Sequence, residues 1–334
     1  MISAPLARYR VHLENQADLP EMFHMTAGRY QAAAQQFPAL ADRIDLSIGW
    51  DQDNFDAAIA DADVLVGWNI PRKALEQKAP RLKLLHLAGA GLDHLAPLDW
   101  IPPGLTITNS SGIHAERVAE YIAMAVLALN ARLPRYADDK VRRRWKPVFM
   151  PGVRGTTALV VGVGGLGEAG ARRCKALGMH VIGVRPSGKP SPWVDEMVGP
   201  DRLMDVLPRA DVALLTMPLT DKTRGLMGPR QLQAMKPGSG LINLARAGVL
   251  DHAALAQCLS AGHISGAFLD VASPEPPPAD HPIWSLANTI ITPHISCDDP
   301  DRYIIDALRV LFENLSRLDK GDALRNTVDP ARGY

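Results

Sequence analysis

Ten residues, Ala158 to Gly167 (ALVVGVGGLG), limit the fold more than any others in the chain. A short apolar run suited to a buried strand leads directly into Gly162-x-Gly164-x-x-Gly167, and a helical stretch from Leu166 to Leu177 follows. This is the context a dinucleotide fingerprint requires. The first glycine permits a tight turn, the second lets backbone approach a pyrophosphate, and the third lets the helix pack close to its strand. The N–H groups at the helix start then face anionic phosphates.

The next strand, His180 to Val184, runs into Arg185 (HVIGVRPSGK). An acidic residue here would bind the ribose hydroxyls of NAD. Arg185 places a positive charge there instead, and Ser187 and Lys189 add donors. A 2′-phosphate is the natural partner, so NADP(H) is favoured and NAD(H) is possible. The alternative is an arginine stacked on adenine with no phosphate preference.

The rest of the chain repeats the strand–helix alternation. Strands are expected at Tyr9 to Glu14, Ile44 to Ile48, Val64 to Trp68, Leu82 to Leu87 and Leu105 to Thr108. Helices are expected at Arg29 to Gln36, Phe55 to Ala60 and Pro71 to Lys78. Beyond Thr157, strands are expected at Ala158 to Val161, His180 to Val184, Val212 to Leu215, Leu241 to Asn243, Ala267 to Asp270 and Ile290 to Thr292. Helices are expected there at Leu166 to Leu177, Arg202 to Leu207, Pro229 to Met235, His252 to Ala261 and Tyr303 to Leu318. The pattern implies α/β architecture with parallel sheets covered on both faces. Glu116 to Arg132 reads as a buried helix stopped by Pro134. Arg135 to Pro151 reads as a polar, basic, irregular arm that crosses a subunit or domain boundary.

At 334 residues the chain is long enough for two domains. Lys and Arg (36) balance Asp and Glu (36), which argues against a general nucleic-acid binder and gives no polybasic membrane signal. Cys174, Cys258 and Cys297 are too scattered for a metal site or a disulfide framework. No metal is expected. The longest apolar run, Tyr121 to Leu129, is far short of the ~20 residues that cross a bilayer. The N-terminal residues MISAPLARYRVHLENQ have no apolar core of a secretory signal. The expected location is the cytoplasm.

Three further motifs carry chemistry: Asn243 to Gly248 (NLARAG), Leu269 to Pro276 (LDVASPEP) and Thr292 to Ser296 (TPHIS). Each follows an expected strand, where ligands sit in open α/β sheets. Together they offer a guanidinium, a carboxylate and an imidazole. With LKLLHLAGAGLDHL (82–95), NSSGIHAERVAE (109–120), VVGVGGLG (160–167) and MPLTDKTRGLM (217–227), these motifs make the sequence resemble the D-isomer-specific 2-hydroxyacid dehydrogenases over nearly its whole length. It looks most like the glyoxylate and hydroxypyruvate reductase branch, partly through Arg185.

The resemblance implies two doubly wound domains: a flavodoxin-like substrate domain (1–107 plus 298–334) and a Rossmann cofactor domain (108–297). It implies hydride transfer between nicotinamide and C2 of a small 2-oxo acid, giving the D-2-hydroxy acid in a cleft between the domains. Arg246 would hold the substrate carboxylate, His294 would protonate the new alkoxide, and Glu275 would hydrogen-bond His294 and fix its tautomer. Backbone N–H groups of Ala90 and Gly91, in the loop AGAG, match the family's substrate loop; an ordinary strand-to-helix turn is the alternative. Implied cofactor contacts are Gly162, Gly164, Gly165, Leu166, Gly167, Arg185, Ser187, Met217, Pro218, Ala245, Arg246, Asp270, His294 and Ser296, with Pro218 and Asp270 on the nicotinamide side. A homodimer is implied too. Some relatives act mainly as nucleotide-sensing scaffolds, which need the dinucleotide site but not all three chemical groups; here all three are present.

Departures from the family pattern are Ala247 in place of the usual Gly, Ser110-Ser111 in place of Thr-Pro, and His94 where Asn is frequent. Glu275 argues against the formate dehydrogenase branch, which has Gln there. His86 reads as a satisfied core residue; His94, His114 and His281 lie near motif segments. Cys297 reads as a neutral neighbour of the site rather than a nucleophile. Trp68 reads as core, while Trp145 and Trp284 could line a pocket or fill a core.

Overall fold

Two all-parallel sheets organise the chain. The computed structural model describes residues 7–92, 95 and 97–330, so His94 lies outside the described residues. The chain divides into two units, Met1–Ile113 with Asp299–Tyr334, and His114–Asp298.

The first unit begins with β1 (Tyr9–Asn15), α1 (Ala27–Ala34), α2 (Pro38–Ala41), β2 (Ile44–Trp50), α3 (Phe55–Asp61), β3 (Val64–Gly67), α4 (Arg72–Lys78), β4 (Leu84–Leu87) and β5 (Thr106–Asn109). Its strand order, β2-β1-β3-β4-β5, is the flavodoxin-like doubly wound order. β1 is interior and buried almost throughout, whereas the edge strand β2 is half-buried, with Asp45 and Ser47 exposed. That contrast follows from cover on two faces against cover on one. Thr26 caps α1 by accepting a hydrogen bond from the Arg29 N–H.

The second unit contains α5 (Ala115–Asn130), α6 (Leu133–Val141), β6 (Thr157–Val161), α7 (Gly165–Ala176), β7 (His180–Val184), β8 (Glu196–Val198), α8 (Leu203–Val206), β9 (Val212–Leu215), α9 (Pro229–Ala234), β10 (Ser239–Asn243), α10 (His252–Ser260), β11 (Ile264–Leu269) and β12 (Thr289–Ile291). The order β8-β7-β6-β9-β10-β11-β12 is the Rossmann order with a seventh strand added. Side chains of β6 alternate between two cores: Leu159 and Val161 join one, Ala158 and Val160 the other. The first is closed by α9 and α10, the second by α5 and α7. Strand order reverses between β6 and β9, which pair from Ala158↔Val212 to Val161↔Leu215. The chain then returns to the first unit with α11 (Tyr303–Lys320), which ends at Gly321 in the left-handed region (φ 72°).

One expectation is corrected. Pro134 does not leave an irregular arm behind it; it sits in the first turn of α6. Proline is tolerated there because that N–H has no helical partner anyway. The break between α5 and α6 comes from Arg132, whose φ of 59° turns the chain. Only the segment beyond α6 lacks regular structure up to Pro151. The expected helix at Arg202 to Leu207 is α8 flanked by 3₁₀ turns at Pro200–Arg202 and Leu207–Arg209. β11 starts earlier than expected, at Ile264.

Candidate active site

In the second unit the expected site residues lie just past the C-terminal ends of parallel strands: Gly162 after β6, Arg185 after β7, Met217 and Pro218 after β9, Ala245 and Arg246 after β10, Asp270 after β11, and His294 and Ser296 after β12. One edge of one sheet therefore carries all of these positions. Open α/β sheets bind their ligands at this edge.

The glycine loop separates internal constraints from external ones. Gly162 has φ +99°, and a Cβ there would stand 2.5 Å from the Met217 backbone nitrogen. A Cβ on Gly167 would overlap the Gly162 carbonyl oxygen. Both glycines are required by the protein's own packing. Gly164 is different: it is extended (φ −105°, ψ −155°), and a Cβ on it would meet nothing within 4 Å. No side chain caps α7, whose first residues are Gly165, Leu166 and Gly167. An uncapped helix start beside a residue with open space over its backbone fits a pyrophosphate.

Arg185 is half-buried; its guanidinium donates to the Lys189 carbonyl (3.3 Å) and lies 3.7 Å from Glu168 Oε1 in the first turn of α7. Ser187 and Lys189 are exposed beside it. These residues follow β7, the strand paired with β6, which leads into the glycine loop.

His294 Nδ1 donates to Glu275 Oε2 at 2.8 Å, and Glu275 Oε1 accepts the Ala272 N–H at 2.8 Å. Both carboxylate oxygens are thus engaged, and the Glu275 bond leaves Nε2 as the ring nitrogen directed elsewhere. Roughly half of the His294 side chain is exposed. Its φ of 55° is uncommon for a residue with a side chain and costs of order 1–3 kcal/mol, so neighbouring contacts must hold it. Asp270, 1% exposed, supplies them: Oδ1 accepts the Ile295 N–H (3.0 Å) and the Thr292 hydroxyl (2.6 Å), and Oδ2 accepts the Ser296 N–H (2.9 Å).

Arg246 is oriented by a buried asparagine. Asn243 accepts the Ala245 N–H (3.0 Å) and donates to the Arg246 carbonyl (3.2 Å). The Arg246 guanidinium donates to the Ala245 carbonyl (2.9 Å) and interacts electrostatically with Cys297. Ala247 opens an ordinary 3₁₀ turn without positive φ, so alanine in place of glycine leaves this backbone unstrained.

Burial pushes the Cys297 thiol up to about 11, which keeps it protonated and unreactive. Burial also raises the Asp298 carboxyl, against the lowering effect of nearby His294. Asp298 and the Tyr121 hydroxyl are neighbours of the site that no spacing rule singles out, and Thr292, at the head of the TPHIS motif, has no role of its own in the sequence reading. His114 is buried and donates from Nδ1 to the Cys297 carbonyl (3.2 Å); His281 contacts the Ser273 carbonyl (3.2 Å).

Ala90 and Gly91 belong to the first unit. Asn109 Nδ2 donates to the Ala90 carbonyl (3.0 Å), and the Ala90 and Gly91 N–H groups make no hydrogen bond among the described residues. His86 is fully buried between Thr108, Ser110 and the Ala307 carbonyl. Trp68 packs on Phe23 and Tyr303, and Trp145 is 99% exposed. Among the described residues there is no cluster suited to a metal ion and no helix long and apolar enough to cross a membrane.

A sequence model of the NAD binding domain of D-isomer specific 2-hydroxyacid dehydrogenases matches residues 123–296. D-3-phosphoglycerate dehydrogenase of Archaeoglobus fulgidus is 34% identical over 259 residues, 76% of this chain and 48% of that protein. The chain spans about half the length of the first curated relatives it matches. Glyoxylate reductase of Korarchaeum cryptofilum is 32% identical over 263 residues, 76% of this chain and 78% of that protein. A D-isomer specific 2-hydroxyacid dehydrogenase from Xanthobacter autotrophicus Py2, solved in complex with NADPH and MES, superimposes with a TM-score of 0.83 at 27% identity, covering 98% of this chain and 100% of that one.

Proposed function

Because the chain belongs to the D-isomer specific 2-hydroxyacid dehydrogenase family, we propose that it reduces a small 2-oxo acid of the glyoxylate or hydroxypyruvate type to the D-2-hydroxy acid, with NADPH preferred. The observation that carries this reading is the 2.8 Å bond from His294 Nδ1 to Glu275, on the same sheet edge as the glycine loop and Arg246. When bound, the nicotinamide supplies a hydride to C2 of the substrate. Arg246 binds the substrate carboxylate with its planar fork and polarises the neighbouring carbonyl. Glu275 holds the Nδ1 proton, so His294 Nε2 delivers a proton to the oxygen on C2 as the hydride arrives. The balance is one hydride from the nicotinamide and one proton from His294, which is replenished from solvent.

Gly162, Gly164, Gly165, Leu166 and Gly167 would hold the pyrophosphate, Pro218 and Asp270 would stand on the nicotinamide side, and Met217, Ala245 and Ser296 would make further cofactor contacts. The Ala90 and Gly91 N–H groups of the first unit, without a hydrogen bond among the described residues, are the candidate backbone donors to a carboxylate. Residues 1–107 with 298–334 act as the substrate domain, and 108–297 as the cofactor domain. Arg185, Ser187 and Lys189 supply the charge and donors for a 2′-phosphate, and the NADPH complex of the Xanthobacter relative supports the same preference. The protein works as a cytoplasmic homodimer. Support for the dimer is the large exposed apolar surface of Met124, Leu127, Val141, Trp145 and Phe149 on α5, α6 and the arm that follows.

The test is a panel of 2-oxo acids assayed with NADPH and with NADH. Turnover of glyoxylate or hydroxypyruvate with a higher kcat/KM for NADPH is expected. Tight NADPH binding without turnover of any panel member would instead favour a nucleotide-sensing scaffold.

A further inference from the structure

We propose that the Tyr121 hydroxyl is a positioning residue for His294, acting through Thr292 and Asp270. The inference rests on the reading of His294 as the proton donor. Tyr121 Oη lies 2.6 Å from Thr292 Oγ1, which lies 2.6 Å from Asp270 Oδ1. The direction of this chain is fixed by chemistry. The Thr292 hydroxyl donates its single proton to Asp270 Oδ1, so Tyr121 must be the donor to Thr292.

Asp270 is the common anchor of the segment that presents His294. Three bonds converge on its carboxylate, from the Thr292 side chain and the Ile295 and Ser296 N–H groups. These donors flank His294 on both sides, and His294 sits between them in the left-handed region (φ 55°). A residue in that conformation relaxes when its flanking contacts loosen.

The tyrosine is not explained by packing. Among the buried residues of α5, all but Tyr121 are alanine, valine, isoleucine or leucine. Its ring meets Phe268 edge to face at 6.5 Å, a contact phenylalanine would make equally well. What tyrosine adds is one hydroxyl, aimed at the residue two positions before His294. Burial raises its phenol to about 12, so it remains a donor throughout the working pH range.

The test uses the full-length protein and the variants Tyr121→Phe, Thr292→Val and Thr292→Ser. Amide hydrogen exchange at Ile295 and Ser296, measured without cofactor or substrate, reports loop anchoring independently of activity. Tyr121→Phe is expected to speed exchange at these two amides by about tenfold, the scale of one lost buried hydrogen bond, with strands β6 and β9 unchanged. With a 2-oxo acid and NADPH, kcat is expected to fall about tenfold while KM for the acid stays within about twofold, since Arg246 is untouched. Thr292→Val is expected to do more, and Thr292→Ser to restore both readouts. Unchanged exchange at Ile295 and Ser296 in Tyr121→Phe overturns the proposal, as does faster exchange with kcat unaltered. A wild-type protein that turns over no 2-oxo acid refutes the proposed function instead, and the exchange measurement still decides whether Tyr121 anchors the loop.

Discussion

Substituting the three loop glycines one at a time separates fold from ligand binding. In Gly162→Ala the new Cβ stands 2.5 Å from Met217 N and 2.7 Å from Met217 Cα, and the residue must keep φ near +99°. The left-handed backbone costs a side chain roughly 1–2 kcal/mol. Overpacking against backbone adds roughly 1–3 kcal/mol. The total, about 2–5 kcal/mol, is a large share of the roughly 5–15 kcal/mol that holds a domain together. A fall in Tm of roughly 5–20 °C follows for a unit of this size. Gly167→Ala, which collides with the Gly162 carbonyl, behaves similarly. Gly164→Ala meets nothing within 4 Å, so its stability stays within about 0.5 kcal/mol of the parent. Its methyl group instead occupies the approach of the pyrophosphate, and NADPH Kd rises at least about tenfold, or about 1.4 kcal/mol. Thermal melts of the three variants and a fluorescence titration with NADPH give both quantities. The reasoning is refuted if Gly164→Ala melts as low as Gly162→Ala, or binds NADPH within about twofold of the parent.

Other outcomes follow from the same geometry. Arg185→Ala is expected to reduce kcat/KM for NADPH by about tenfold or more, with NADH affected much less, because a charge-assisted bond to the 2′-phosphate is lost; equal losses for both cofactors would assign Arg185 to adenine stacking. Burial pushes the His86 and His114 imidazoles down to about 4. Each is neutral in the fold but takes up a proton on unfolding below its ordinary value of 6.5, so its stabilisation is complete above pH 6.5 and is lost as pH falls toward 4. The loss is about 3 kcal/mol per histidine, and His86→Asn should flatten the pH dependence of denaturant unfolding across that window. Trp145→Glu with Phe149→Glu is expected to yield monomers in light scattering, and an unchanged dimer would place the interface elsewhere.

Much of the fold is legible in the sequence because central parallel strands must be apolar on both faces. β7 and β9 coincide with their apolar runs, His180–Val184 and Val212–Leu215. β8 escapes notice because an edge strand of three residues, Glu196–Val198, with only Val198 buried, leaves no pattern. α6 escapes because Pro134 signals an end and a beginning equally well, and only the φ of Arg132 decides between them. At the site, the glycine spacing carries its own physical meaning, whereas the meeting of Glu275 with His294 is readable only through the family resemblance. The Tyr121–Thr292 bond joins residues 171 positions apart, and no local periodicity encodes such a pairing.

The most direct test of the central claim is steady-state NADPH oxidation by glyoxylate or hydroxypyruvate, comparing the parent with His294→Ala. Removing the proton donor should lower kcat by about 10²–10⁴-fold while NADPH Kd stays within a few-fold. Near-normal turnover in His294→Ala would show that another group delivers the proton, and the roles given to His294 and Glu275 would be wrong.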